Sequence, residues 1–148
     1  MSAYRHQAHL DADLETVWGL VATPTRFPEW WPSVIEVEGE RFEEGDEYAQ
    51  VTKDPTGSTV ESNFLIETRD ELREIRMKCD LTGAYADWVL TPAQGGTFVE
   101  LEMGMQPHRL SDRLMDMAIG RSYFRRWSRA SLEALAEAAG RLPEASEG

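Results

Sequence analysis

The longest periodic stretch of this chain is its last one, and it limits what everything before it can be. Between positions 110 and 139, Leu110, Leu114, Met117, Arg121, Phe124, Ser128, Leu132, Leu135 and Ala139 fall on one narrow stripe at the helical angle, over roughly eight turns. The spacing predicts one long amphipathic helix. Ser111 is its expected N-cap, with Asp112 in the first turn, and Gly140 followed by Pro143 is its stop. A helix of this kind is marginal alone in water, so its stripe must be buried against something broad and apolar.

The preceding residues read as a sheet that could supply that surface. Positions 4–10 alternate weakly and form a first strand. Asp11-Ala12-Asp13 then offers an N-cap, and Leu14, Val17, Trp18 and Val21 follow the spacing of a short helix. Thr23-Pro24 starts a second small helix, which ends in Phe27-Pro28-Glu29-Trp30-Trp31-Pro32. From Val34 to Gln106 the period changes to two. Strands are expected at 33–40, 47–53, 58–68, 72–79, 84–91 and 97–106, separated by turns such as Glu44-Gly45-Asp46, Arg69-Asp70-Glu71 and Gln94-Gly95-Gly96. Connections this short make neighbouring strands antiparallel. Phe64 and Ile66, then Ile75, Met77 and Cys79, then Val99, Leu101 and Met103 alternate against charged neighbours, which gives one apolar and one charged face. The long helix carries the stripe that matches the apolar face. A twisted sheet of about seven strands curls, so one helix leaves part of its concave side uncovered.

Composition narrows the classes of function. At 148 residues and 41% hydrophobic, the chain is expected to be one domain over 1–141, with a short acidic, disordered tail at 142–148. Cys79 is the only cysteine, which excludes an internal disulfide and suits a reducing compartment. The N-terminus lacks the apolar core of a secretory signal, and no run approaches a membrane span, so a cytoplasmic protein is expected. A net charge of −12 argues against nucleic acid as a partner. Arg109, Arg113, Arg121, Arg125, Arg126 and Arg129 crowd part of the last helix. They read as a solvated face, or alternatively as an attraction for an acidic headgroup.

Few residues carry a chemical signature. His6, His9 and His108 are the only histidines, and the i, i+3 spacing of the first two places them on opposite faces of a strand. No zinc pattern, nucleophile elbow, phosphate loop or dinucleotide fingerprint is present, because Gly95-Gly96 belongs to a hairpin; neither a metal nor a cofactor is expected. Arg121 stands in the middle of the apolar stripe. Either its stem snorkels or it pairs with a sheet acid, or its guanidinium fixes a carboxylate, phenolate or enolate of a ligand. Tyr85 and Asp87 share a face opposite Trp88 and Leu90, so they point outward if Trp88 points inward. His108 is a candidate acid or base at a loop.

Several segments together carry a family resemblance that covers nearly the whole chain. They are Asp13-Leu14-Glu15-Thr16-Val17-Trp18, Phe27-x-x-Trp30-Trp31-Pro32 leading into Val34-Ile35-Glu36-Val37-Glu38, Trp88-x-Leu90-x-Pro92 before Gly95-Gly96-Thr97, and the terminal helix. In this order they resemble the START-like superfamily called SRPBCC, and within it the polyketide cyclase/dehydrase-like group. The resemblance implies an α+β helix-grip fold: a seven-stranded curved antiparallel sheet wrapped around a long C-terminal helix, with two short helices between strands 1 and 2. It also implies a deep cavity for apolar ligands. Residues expected to bind there are Trp30, Trp31, Phe64, Ile66, Met77, Trp88, Leu90, Leu101, Met103, Met117, Arg121 and Phe124.

An empty apolar cavity of ~300 Å³ at ~24 cal/mol per Å³ would cost ~7 kcal/mol, so a large one is expected to be hydrated, partly collapsed or occupied. Trp30 and Trp31 are adjacent on a short helix end and are expected to diverge, one anchoring the segment and one lining the cavity. Three functions fit: binding or transport of a small hydrophobic ligand, a cyclase or aromatase acting in the same cavity, and a chaperone-activator-like interaction module. Ile119, Tyr123 and Trp127, off the buried stripe, could serve such an interaction or a homodimer; a monomer is the alternative.

Overall fold

A computed structural model of the protein describes residues 2–53, 56–80, 82–105 and 121–141. Strand β1 (Ser2–Leu10) is followed by helix α1 (Leu14–Val21), a 3-10 turn (Pro24–Arg26) and the single-turn helix α2 (Phe27–Trp30). Six strands come next: β2 (Val34–Glu38), β3 (Glu47–Lys53), β4 (Thr59–Asp70), β5 (Glu74–Cys79), β6 (Ala84–Ala93) and β7 (Gly96–Met105). Helix α3 (Arg121–Arg141) closes the chain. The part of the expected helix from 110 to 120, with its Ser111 cap, Leu114 and Met117, lies outside the described residues. So do His108 and the tail from 142.

Local chemistry explains the first helices. The Asp13 carboxylate accepts from the Thr16 amide at 2.8 Å, which satisfies one free donor at the start of α1. Pro24 opens the 3-10 turn, where its missing N–H costs nothing. The strands form one antiparallel sheet in the order β1-β7-β6-β5-β4-β3-β2, so the chain meanders from β2 to β7 and β1 closes against the last strand. Register puts Ile66 opposite Met77, Met77 opposite Ala86, and Ala86 opposite Met103, an apolar row across four strands.

Helix α3 packs against β1 and β7 and touches α1 and α2. Its buried face carries Ser128, Leu132, Leu135 and Ala139 as the periodicity requires, and also Ser131 and Ala138. Arg125, Arg126 and Arg129 are exposed, the solvated reading of the basic run.

One strand boundary needs correction. Leu72 does not begin β5. It sits in the β4–β5 turn with φ +63°, and the strand starts at Glu74. A four-residue reversal needs a left-handed position, and here a leucine takes it at some cost in strain. The bulge between Ile66 and Thr68 then moves Arg69 onto the face paired with Ile75. From there its guanidinium donates to the carbonyls of Ala22 and Phe42 at 3.0 and 2.8 Å and pairs with Glu71 at 3.2 Å. Glu71 also accepts from the Trp18 indole at 2.9 Å. The Arg69 and Trp18 hydrogen bonds hold the Glu71 carboxyl below its ordinary range. One bulge therefore ties the end of α1, the β2–β3 loop and β4 together.

Candidate functional site

A cavity on the concave face lies between the sheet, the end of α2 and α3. Trp31 from the end of α2, Tyr48 and Gln50 from β3, Phe64 from β4, Met77 from β5, Ala86 from β6, Met103 from β7 and Trp127 from α3 line it. Its volume is about 30 Å³, an order of magnitude below the deep cavity expected, so at ~24 cal/mol per Å³ the void costs only ~0.7 kcal/mol. Among the described residues the interior is largely closed by its own side chains. Met77 and Met103 are flexible thioethers, and Phe64 and Trp127 are half-buried, so these walls can yield to a guest.

Of the expected ligand residues, Trp31, Phe64, Met77 and Met103 reach this cavity. Ile66, Trp88, Leu90 and Leu101 are buried on the same face, in the core rather than along the wall. Met117 lies outside the described residues. Arg121 and Phe124 are in α3, but their side chains are likewise outside the description.

The two adjacent tryptophans do not diverge. Trp30 and Trp31 are 7% and 5% exposed and stack at 5.4 Å with planes 13° apart. Helix α2 ends at Trp30, and Trp31 takes extended angles (φ −82°, ψ 117°), so the helical step that would splay the rings does not apply. Both meet the Trp88 ring edge-on, at 5.8 and 5.5 Å. Trp127 also departs from expectation. It is half-buried rather than exposed, tilts against Trp31 at 6.2 Å and donates its indole N–H to the Pro32 carbonyl at 2.6 Å, so part of the ring is packed inside.

Interior polar groups were harder to see in the sequence. Tyr48, Gln50 and Thr52 face inward, but the same strand reads Ala49 and Val51 as an equally apolar alternative, so alternation alone does not choose. Pairing of Tyr48 with Phe64 decides it, and the rings stack at 5.7 Å. Burial pushes the Tyr48 hydroxyl well above the ordinary phenol value, with Cys79 adding to the effect, and it has no hydrogen-bond partner among the described residues. His6 reaches inward from β1 and its Nε2 meets Ser128 Oγ at 2.8 Å. Ser128 donates its own proton to the Arg125 carbonyl, so the histidine must be the donor. Burial lowers the His6 pKa and Arg129 lowers it further, against Glu133.

Tyr85 and Asp87 point to the outer face as alternation requires. The Tyr85 hydroxyl donates to Glu102 at 2.7 Å, and the Arg76 guanidinium lies 4.2 Å over its ring. Arg76 pairs with Glu67 at 3.0 Å and Asp87 at 3.5 Å, and Arg5 pairs with Glu102. A wider groove of about 660 Å³ runs over this face beside Arg5, Asp87, Glu100 and Glu102. Its charged lining suits water and ions, whereas apolar ligand surface requires the aromatic and thioether wall on the other side.

Sheet order, the paired short helices after β1 and the C-terminal helix across the concave face define a START-like helix-grip protein. The sequence model of the family described as polyketide cyclase/dehydrase and lipid transport matches residues 1–140, and the chain belongs to that family. Solved structures share the fold at low identity. A protein from Thermus thermophilus is 18% identical, with 93% of this chain and 97% of that chain covered and a TM-score of 0.75. A protein from Arthrobacter aurescens is 17% identical, with coverages of 96% and 88% and a TM-score of 0.74. A START superfamily protein from Mycobacterium smegmatis is 15% identical, with coverages of 94% and 95% and a TM-score of 0.68. No curated protein matches the sequence. No described helix is long and apolar enough to cross a membrane.

Proposed function

We propose that this protein binds and carries a small hydrophobic ligand between the sheet and the C-terminal helix, as one domain over 1–141. The observation that carries the reading is the wall built by Trp31, Phe64, Met77, Met103 and Trp127 around the interior void. Adjustable apolar groups converging from five elements are what an apolar guest needs and what a close-packed core does not. Burial keeps the Tyr48 hydroxyl protonated, a hydrogen-bond donor that serves a carried ligand and a cyclase substrate alike.

Native mass spectrometry of the purified protein tests this directly, followed by titration with Nile red as an apolar probe. A retained organic mass, or saturable probe binding weakened by Met103→Trp, is expected. A protein that carries no small molecule and shows no saturable binding would end the reading.

A further inference from the structure

Hydrogen bonding around the cavity is unbalanced in one direction. Tyr48 is 3% exposed and borders the void, and its hydroxyl has no partner among the described residues. The indole N–H groups of Trp30 and Trp88 are buried without acceptors there as well, and both rings lie against Trp31, which is part of the cavity wall. Other donors on the wall are spent. Trp31 donates to Ser131 Oγ at 2.7 Å, Trp127 to the Pro32 carbonyl, and the Gln50 amide to Thr52 Oγ1 at 3.1 Å.

A buried donor without an acceptor loses its hydration and gains nothing in return, and three such groups weigh heavily on a domain of ordinary marginal stability. A void of about 30 Å³ admits a water molecule. Such a water needs two to four polar partners to be held, and most of this wall is ring and thioether. The deficit also has a sign. Indoles only donate, and the phenol stays protonated far above neutral pH, so among the described residues acceptors for these three donors are what is lacking. An anion would have to shed its hydration into a wall whose described groups carry no charge, and a neutral oxygen loses far less.

We propose that Tyr48 forms an acceptor-reading subsite, and that the ligand is a neutral apolar molecule whose carbonyl or ether oxygen takes the hydrogen bond of the Tyr48 hydroxyl. This deepens the carrier reading above and rests on it. Phe64, stacked on Tyr48, packs against the apolar body beside that oxygen, and Met77 and Met103 move to make room.

Two probes of equal shape test it: 2-acetylnaphthalene, which carries a ketone, and 2-isopropenylnaphthalene, which replaces the oxygen by carbon. Calorimetric titration into the wild-type chain and into Tyr48→Phe gives four affinities. The ketone is expected to bind the wild type at least ~10-fold tighter than the hydrocarbon, and the preference should vanish in Tyr48→Phe while hydrocarbon binding is kept. With a carbon-13 label at the carbonyl, its infrared stretch should fall on binding to the wild type and stay high in the variant. Equal binding of both probes to the wild type, or a preference that survives in Tyr48→Phe, overturns the subsite while leaving the carrier reading intact. Failure of both probes to bind either chain overturns both. Because the variant removes a hydroxyl with no partner among the described residues, it is expected to fold at least as well as the wild type.

Discussion

The indole N–H of Trp31 donates to the hydroxyl of Ser131, one hundred positions further along the chain, at 2.7 Å. The Ser131 hydroxyl in turn donates a hydrogen bond to the Trp127 carbonyl at 2.6 Å, so donor and acceptor roles are both consistent. This bond fixes the end of α2 to α3 beside the cavity, whose wall includes Trp31 and Trp127. Ser131→Ala keeps the helix but strands a buried indole, and a loss of ~1–3 kcal/mol is expected by chemical denaturation. A double-mutant cycle with Trp31→Phe should show coupling between the two positions. Additive losses would mean that the bond contributes nothing.

Because Trp30 and Trp31 are both buried and stacked, replacing either with Ala should cost ~3–5 kcal/mol. Only Trp31 of the pair borders the cavity, so its replacement should also weaken apolar probe binding when measured at a temperature where both variants are folded. Equal weakening by Trp30→Ala would mean that Trp30 borders the bound probe as closely as Trp31 does.

Gly96 begins β7 directly beneath the end of β1. A Cβ built there would stand 1.9 Å from the Leu10 carbonyl oxygen, and the atom it meets is backbone and cannot swing away. Next to it, the Thr97 hydroxyl donates to the Ala12 carbonyl at 2.8 Å and holds the same junction. Gly96→Ala is expected to lower stability by ~3 kcal/mol or more, and Gly95→Ala to lower it less, since Gly95 meets only backbone strain at φ +77° with open space around it. Equal losses would refute the steric account.

On the outer face, burial and then the neighbouring Glu74 push the Asp87 carboxyl up to about 7, against the attraction of Arg76. In the unfolded chain the group ionises near ~3.9. Between those values the folded protein holds a proton that the unfolded one has released, so this group makes stability fall as pH rises from ~4 to ~7. His6 acts in the opposite sense just below 6.5, because its folded pKa is depressed. Asp87→Asn isolates the first effect. Its stability relative to wild type should improve by about 1 kcal/mol or more between pH ~5 and pH ~8, read as a difference in thermal midpoints. A constant difference at both pH values would remove Asp87 as the cause.

Local pattern alone determined the order of elements here. The Asp13 cap, Pro24, the period-two strands and the Leu132, Leu135 and Ala139 stripe each follow from interactions within a few residues, and short turns leave antiparallel neighbours as the one option. Tyr85 and Asp87 were placed outward by the same alternation. What alternation could not decide was β3, where Ala49 and Val51 compete with Tyr48 and Gln50 for the inner face; pairing with Phe64 settled it. Nor could it anticipate the bulge after Ile66 that turns Arg69 inward, or the extended backbone at Trp31 that stacks two rings a helix would have splayed. The bond from Trp31 to Ser131 and the Tyr48 hydroxyl, which has no partner among the described residues, have no local signature at all. They arise where distant segments meet in space, and whether a buried donor finds an acceptor depends on ångström-scale placement that no spacing along the chain encodes.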